Sequence, residues 1–137
     1  MADFRALEPV IARPKDRSPV NPQIATDARR WIDAHPGTSY SEIDCSHYVW
    51  EVIKMSRPGQ PYLNSDAIAQ SGLFREVDES HLSNGDIVYW PGHVAIVTDV
   101  RTGKFMGSQT STGPAETNYK SNPYWAGRPG RKYFTLN

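Results

Sequence analysis

Cys45 is the only thiol in the sequence, and it shares the chain with four histidines, His35, His47, His81 and His93. Thiol and imidazole together are the residue set of covalent acyl chemistry. The sulfur attacks a carbonyl, the imidazole moves the proton, and a third polar group holds the ring in one tautomer. One cysteine cannot form an internal disulfide, and no Cys/His cluster has zinc-ligand spacing, so neither a disulfide framework nor a metal centre is expected.

Position sorts these candidates. Cys45 lies in Ile43-Asp44-Cys45-Ser46-His47-Tyr48-Val49-Trp50. Val49, Val52 and Ile53 follow it at three- and four-residue steps, which places all of them on one helical face. Asp44 is a natural N-cap. A thiol in the first turn meets unpaired backbone N–H groups and the positive end of the helix dipole, and both favour the thiolate. The competing reading is a cysteine packed as a small hydrophobe. Among the histidines, His35 ends a helix before a proline and His81 sits in a polar loop. His47 is turned roughly 200° from the thiol at about 100° per residue. His93 opens a strand directly after Pro91-Gly92, where Val94 to Val97 would fix it in a sheet. It is the best-placed base.

The elements that must hold these residues read as helices first and an antiparallel sheet after, an α+β arrangement. Residues 1–20 carry Pro9, Pro14 and Pro19 among charges and read as an extended arm; residues 21–137 read as a single catalytic domain. Asn21-Pro22 opens a helix over residues 22–34, with Asn21 as N-cap, and Pro36-Gly37 ends it. The cysteine helix runs to about Ser56. A short helix capped by Asn64 reaches Gln70. Strands are expected over Leu73–Val77, Asp86–Trp90, His93–Val100, Lys104–Gly107 and Lys132–Leu136. Ser108–Pro114 reads as a polar loop, and this loop and the Tyr119–Gly130 segment are the expected sources of specificity. Tyr89, Trp90, Tyr124 and Trp125 could border a substrate groove, but aromatics in a small sheet protein read more readily as core or rim packing. Asp86, after a glycine, reads as closing a turn and not as a catalytic acid.

Composition sets outer limits. The chain has 137 residues and a formal net charge of zero. That length fits one ordinary core, and balanced charge gives no electrostatic argument for a nucleic-acid partner. No apolar run is long enough to span a bilayer, and the charged first residues lack the apolar segment of a secretory signal. Synthesis in the cytoplasm, with export only by other machinery, is the expectation.

Asp44-Cys45-Ser46, followed about forty residues on by Gly85-Asp86-Ile87-Val88-Tyr89-Trp90 and Gly92-His93-Val94-Ala95-Ile96-Val97, resembles the NlpC/P60 family of cysteine peptidases. The similarity spans about residues 20 to 110, and its two anchor motifs come in the family's order and spacing. The resemblance implies a papain-like fold, with N-terminal helices packed on a central antiparallel sheet. It implies a Cys45 nucleophile, a His93 base, no metal or organic cofactor, and hydrolysis of an amide bond in peptidoglycan stem peptides. Two departures stand out. His47 replaces the glycine frequent after Asp-Cys-Ser, with its side chain expected to point outward. The family's third polar residue, commonly a histidine, falls near Gly107. Gln109 has the same strand parity, and its amide oxygen could accept the His93 N–H; Ser108 is the alternative. A plain loop role for Gln109 also stays open.

The resemblance also suggests a tyrosine near the oxyanion; Tyr40 is the available residue, although it lies closer to the cysteine than usual. The Cys45 backbone N–H is the better oxyanion donor on physical grounds. Tyr40, Asp44, Ser46 and Ser108 make up the expected oxyanion- and substrate-binding group, with Asp44 chiefly a cap tied to backbone N–H groups. A phage lysin, a tail-associated hydrolase and a toxin delivered by a type VI-like apparatus all fit, the last with an immunity protein as partner. The same scaffold also supports a deamidase, transamidase or acyltransferase, or an inactive wall-binding module.

Overall fold

The computed structural model describes residues 20–137, so the expected arm over residues 1–20 lies, apart from Val20, outside the described residues. The order is α1 (Asn21–Ala34), α2 (Cys45–Ser56), α3 (Ser65–Ile68), β1 (Phe74–Val77), a 3-10 turn (Glu79–His81), β2 (Ile87–Trp90), β3 (His93–Asp99), β4 (Lys104–Gln109), β5 (Gly113–Asn118), α4 (Pro123–Gly127) and β6 (Lys132–Leu136). The strands form one six-stranded sheet in the order β1-β6-β2-β3-β4-β5, with every neighbouring pair antiparallel. Helix and antiparallel sheet thus make the expected α+β fold.

Strands alternate their side chains between two faces. Ile87, Val94, Ile96, Met106 and Phe134 meet Ile24, Ala28, Tyr48, Val49, Val52 and Ile53 of α1 and α2. Val88, Trp90, Ala95, Val97 and Phe105 pack on the other side with Tyr119, Trp125 and Tyr133. Both faces of the central strands are therefore buried, which is why Ile87–Trp90 and Val94–Val97 read as continuous apolar runs without alternation. Each fully buried aliphatic side chain contributes about 1.5–3 kcal/mol. The Tyr48 hydroxyl donates to the Ala28 carbonyl at 2.7 Å and joins the two long helices.

Three local expectations are corrected. Asn21 is the first residue of α1, and Val20 is its cap without a side-chain bond. The Asn21 amide is drawn into the interior instead, donating to Asp86 Oδ1 at 2.8 Å. The short helix ends at Ile68, two residues before the expected Gln70. Ser108 and Gln109 are not loop residues: they extend β4, with Ser108 opposite Pro114 and Gln109 opposite Gly113. Pro114, Ala115 and Glu116 have poor strand propensity, so β5 is fixed by its backbone pairing with β4 and leaves no pattern in the side chains.

Asp86 closes the entrance to β2 as the sequence suggests. Its Oδ2 accepts the Ser83 N–H at 2.8 Å while Oδ1 holds Asn21, which ties the sheet to the start of α1. Replacing it strands buried donors. Asp86→Ala is expected to lower the unfolding free energy in urea by on the order of 2–3 kcal/mol. A loss below about 0.5 kcal/mol, the range of an ordinary surface substitution, would remove Asp86 from the support of the fold.

Candidate active site

Asp44 caps α2 through its Oδ1, which accepts the His47 N–H at 3.0 Å and lies 2.7 Å from His47 Nδ1. The His47 ring is exposed, as expected, and stacks on Tyr62 with centroids 4.2 Å apart. The preceding loop is pinned from the sheet, because the Ser108 hydroxyl donates to the Ile43 carbonyl at 2.6 Å. These contacts set Cys45 at the first position of α2, where its own backbone N–H has no intrahelical acceptor.

The thiol is only 5 % exposed and points at the Gly92 carbonyl oxygen, 3.9 Å away. The N–H groups of Val94, Ser46 and Cys45 favour a thiolate, but burial outweighs them and Asp44 adds to it, so the Cys45 pKa is pushed up. This corrects the expectation of a thiolate favoured by the helix start. The dipole and the N–H groups act in the expected sense; desolvation is larger.

His93 opens β3 opposite Trp90 and is 6 % exposed, its ring tilted against Trp125 with centroids 4.8 Å apart. Burial, and after it the Arg128 charge, lower its pKa to about 4, with Gln109 acting in the opposite sense. Burial thus disfavours the charged form of both groups. Gln109 ends β4, and its Nε2 donates to the Ala115 carbonyl at 3.3 Å. Its Oε1 and the His93 Nε2 are both buried, and neither completes a well-formed hydrogen bond, although Gln109 lies close enough to favour the imidazolium. Gly107 makes room for this amide: a Cβ there would lie 2.7 Å from Gln109 Oε1 and 2.7 Å from the Ala95 Cβ.

Tyr40, His93 and Gln109 line one open cleft of about 620 Å³, together with Gly92, Thr112, Glu116, Asn122, Tyr124, Trp125 and Arg128. Burial raises the Tyr40 pKa, and Cys45 and Asp44 beside it raise it further. Ser46 is turned away, its hydroxyl sharing a 2.7 Å bond with Tyr62 and lying 3.4 Å from Asp44 Oδ1. Ser108 is held by Ile43 and does not meet His93. His35, stacked on Trp31, and His81, 2.6 Å from Asp78, do not line the cleft. Arg128 and Asn122 belong to it but were not singled out by sequence. The Asn-Pro pair at Asn122-Pro123 was the available signal, since Asn122 caps α4 by accepting the Tyr124 and Trp125 N–H groups. Among the described residues no cluster of three or more His, Cys, Asp or Glu could hold a metal ion, and no helix is long and apolar enough to cross a membrane.

A buried thiol against the carbonyl that precedes a buried imidazole, with the Gln109 amide near the ring, supplies the groups that base-assisted attack on a carbonyl requires. The family model described as NlpC/P60 family matches residues 34–130, most of the chain. The family is one of cysteine peptidases and amidases, which supports that general class here. No curated protein matches the chain.

The low His93 pKa links the site to stability. Folded His93 takes its proton near pH 4, whereas the unfolded chain takes it near 6.5. Between those values the unfolded state binds more protons. Stability that is fully present above pH 6.5 is therefore lost as pH falls, by on the order of 3 kcal/mol at pH 4. Urea unfolding at both pH values should show this loss for the wild type and a smaller one for His93→Gln. Equal losses would mean that the His93 ring protonates freely in the folded protein.

Proposed function

From its place in the NlpC/P60 family, to which the chain belongs, we propose that it hydrolyses an amide bond in peptidoglycan stem peptides through a Cys45 thioester. The observation that carries this reading is the Cys45 thiol set 3.9 Å from the carbonyl oxygen of Gly92, which lines the cleft together with its neighbour His93. His93 removes the thiol proton as sulfur attacks the carbonyl carbon. The Cys45 N–H, with the Tyr40 hydroxyl nearby, donates to the developing oxyanion. His93 then gives its proton to the departing amine, and water, deprotonated by the same ring, cleaves the thioester. A raised thiol pKa and a lowered imidazole pKa support concerted proton transfer over a resting ion pair.

Gln109 acts through His93 as a positioning residue. The cleft is large enough for a peptide, and its hydroxyl- and amide-rich wall of Thr110, Ser111, Thr112, Thr117 and Asn122 suits a polar one. The biological setting consistent with this substrate is a phage hydrolase or a delivered antibacterial toxin, the second with an immunity protein as partner.

Digestion of purified peptidoglycan with wild type and Cys45→Ala, read by mass spectrometry, tests the reading. New stem-peptide fragments are expected from the wild type alone. No cleavage across several wall chemistries would move the substrate to a protein or lipid acyl group. The role of Gln109 has its own signature. Gln109→Ala should lower kcat on the order of 10- to 100-fold, with a smaller effect on KM. Gln109→Glu, which puts a carboxylate beside the ring, should restore part of the rate and move the acid limb of kcat/KM upward from about pH 4. An unmoved acid limb would place Gln109 outside the proton-transfer network.

A further inference from the structure

Arg128 has no part in the proton transfers above, yet the fold fixes it beside them. Its Nη2 donates to the Pro91 carbonyl at 2.9 Å, and its guanidinium carbon lies 5.4 Å from the Trp125 ring centroid. Two residues on, Gly130 adopts φ +87° against the same turn, where a Cβ would sit 2.7 Å from Pro91 Cδ. The segment is thus pressed onto the Pro91-Gly92 turn, whose Gly92 carbonyl faces the thiol. These contacts use one N–H and one face of a group with five N–H donors.

Among the described residues, no anion takes up the remaining donors. Arg128 is the only lysine or arginine lining the cleft, and among the described residues no carboxylate pairs with it. The one acid in the lining, Glu116, is held by Arg29 at 3.0 Å. The guanidinium charge is felt at His93, where it disfavours the imidazolium. A guanidinium held in place with open donors, in the cleft that His93 lines, matches the planar fork geometry of a carboxylate.

We propose that Arg128 binds a free carboxylate on the substrate residue flanking the scissile amide, so that the site selects peptides with that carboxylate over their carboxamide counterparts. The proposal rests on the stem-peptide reading above. It also gives substrate a second effect: a bound carboxylate offsets the positive charge that weakens His93 as a base.

Two measurements separate this proposal from the reading it builds on. The first uses the lone thiol and no peptide. Iodoacetate and iodoacetamide each alkylate Cys45 with loss of iodide, and they differ only in carboxylate against carboxamide. The iodoacetate-to-iodoacetamide rate ratio should fall about three- to tenfold in Arg128→Gln and be largely kept in Arg128→Lys. An unchanged ratio in Arg128→Gln overturns the proposal. The second compares stem peptides with a free carboxylate or a carboxamide beside the scissile bond. Wild type should favour the carboxylate by about tenfold or more in kcat/KM, mainly through KM, and Arg128→Gln should lose that preference. Equal cleavage of both peptides by wild type overturns the anion subsite and leaves the hydrolase reading standing. Cleavage of neither peptide, with the alkylation ratio still dependent on Arg128, retains the subsite and removes the stem-peptide reading.

Discussion

Exclusion of water from the junction between the first turn of α2 and the first residue of β3 governs the chemistry of this protein. Cys45 and His93 are each almost fully buried there, and burial is the largest influence on both. It moves the thiol pKa up and the imidazole pKa down, so each group stays neutral. Backbone N–H groups around the sulfur and the Gln109 amide near the ring act in the opposite sense. They are the groups able to accommodate charge once it forms. A site so arranged favours moving a proton during attack over holding separated charges at rest.

That junction depends on the β4–β5 hairpin. Ser108 holds the carbonyl of Ile43, two residues before Cys45, while Gln109 on the opposite face of the same strand reaches toward His93. Adjacent residues of one strand therefore support the two halves of the site from opposite faces. Gly107 completes the arrangement, since its missing side chain is the space that the Gln109 amide occupies.

Much of this was legible in the sequence. Cys45 at a helix start, Asp44 as its cap and the strand behind His93 each follow from local signals that tertiary structure does not oppose. The outward His47 ring follows from helical geometry alone. Other features depend on partners remote in sequence. Asn21 was misread as a cap because its bond to Asp86 spans sixty-five positions. Strand β5 was missed because Gly113, Pro114 and Ala115 carry no strand signal and are fixed by pairing with β4. Arg128 carries no local signal, and only the fold brings it to the Pro91 carbonyl. The thiol pKa was misjudged for a related reason: the helix start is visible in sequence, and the depth of burial is not.

The neutral state of Cys45 also bears on chemical durability. Peroxide and disulfides react with thiolates far faster than with thiols, and they must first reach the sulfur. A cysteine 5 % exposed, with its pKa pushed up, is protected on both counts. With no second cysteine in the chain, there is also no internal partner to trap it as a disulfide. Burial and a raised pKa together hold the sulfur in the form that oxidants attack slowly, a protection supplied by the fold itself.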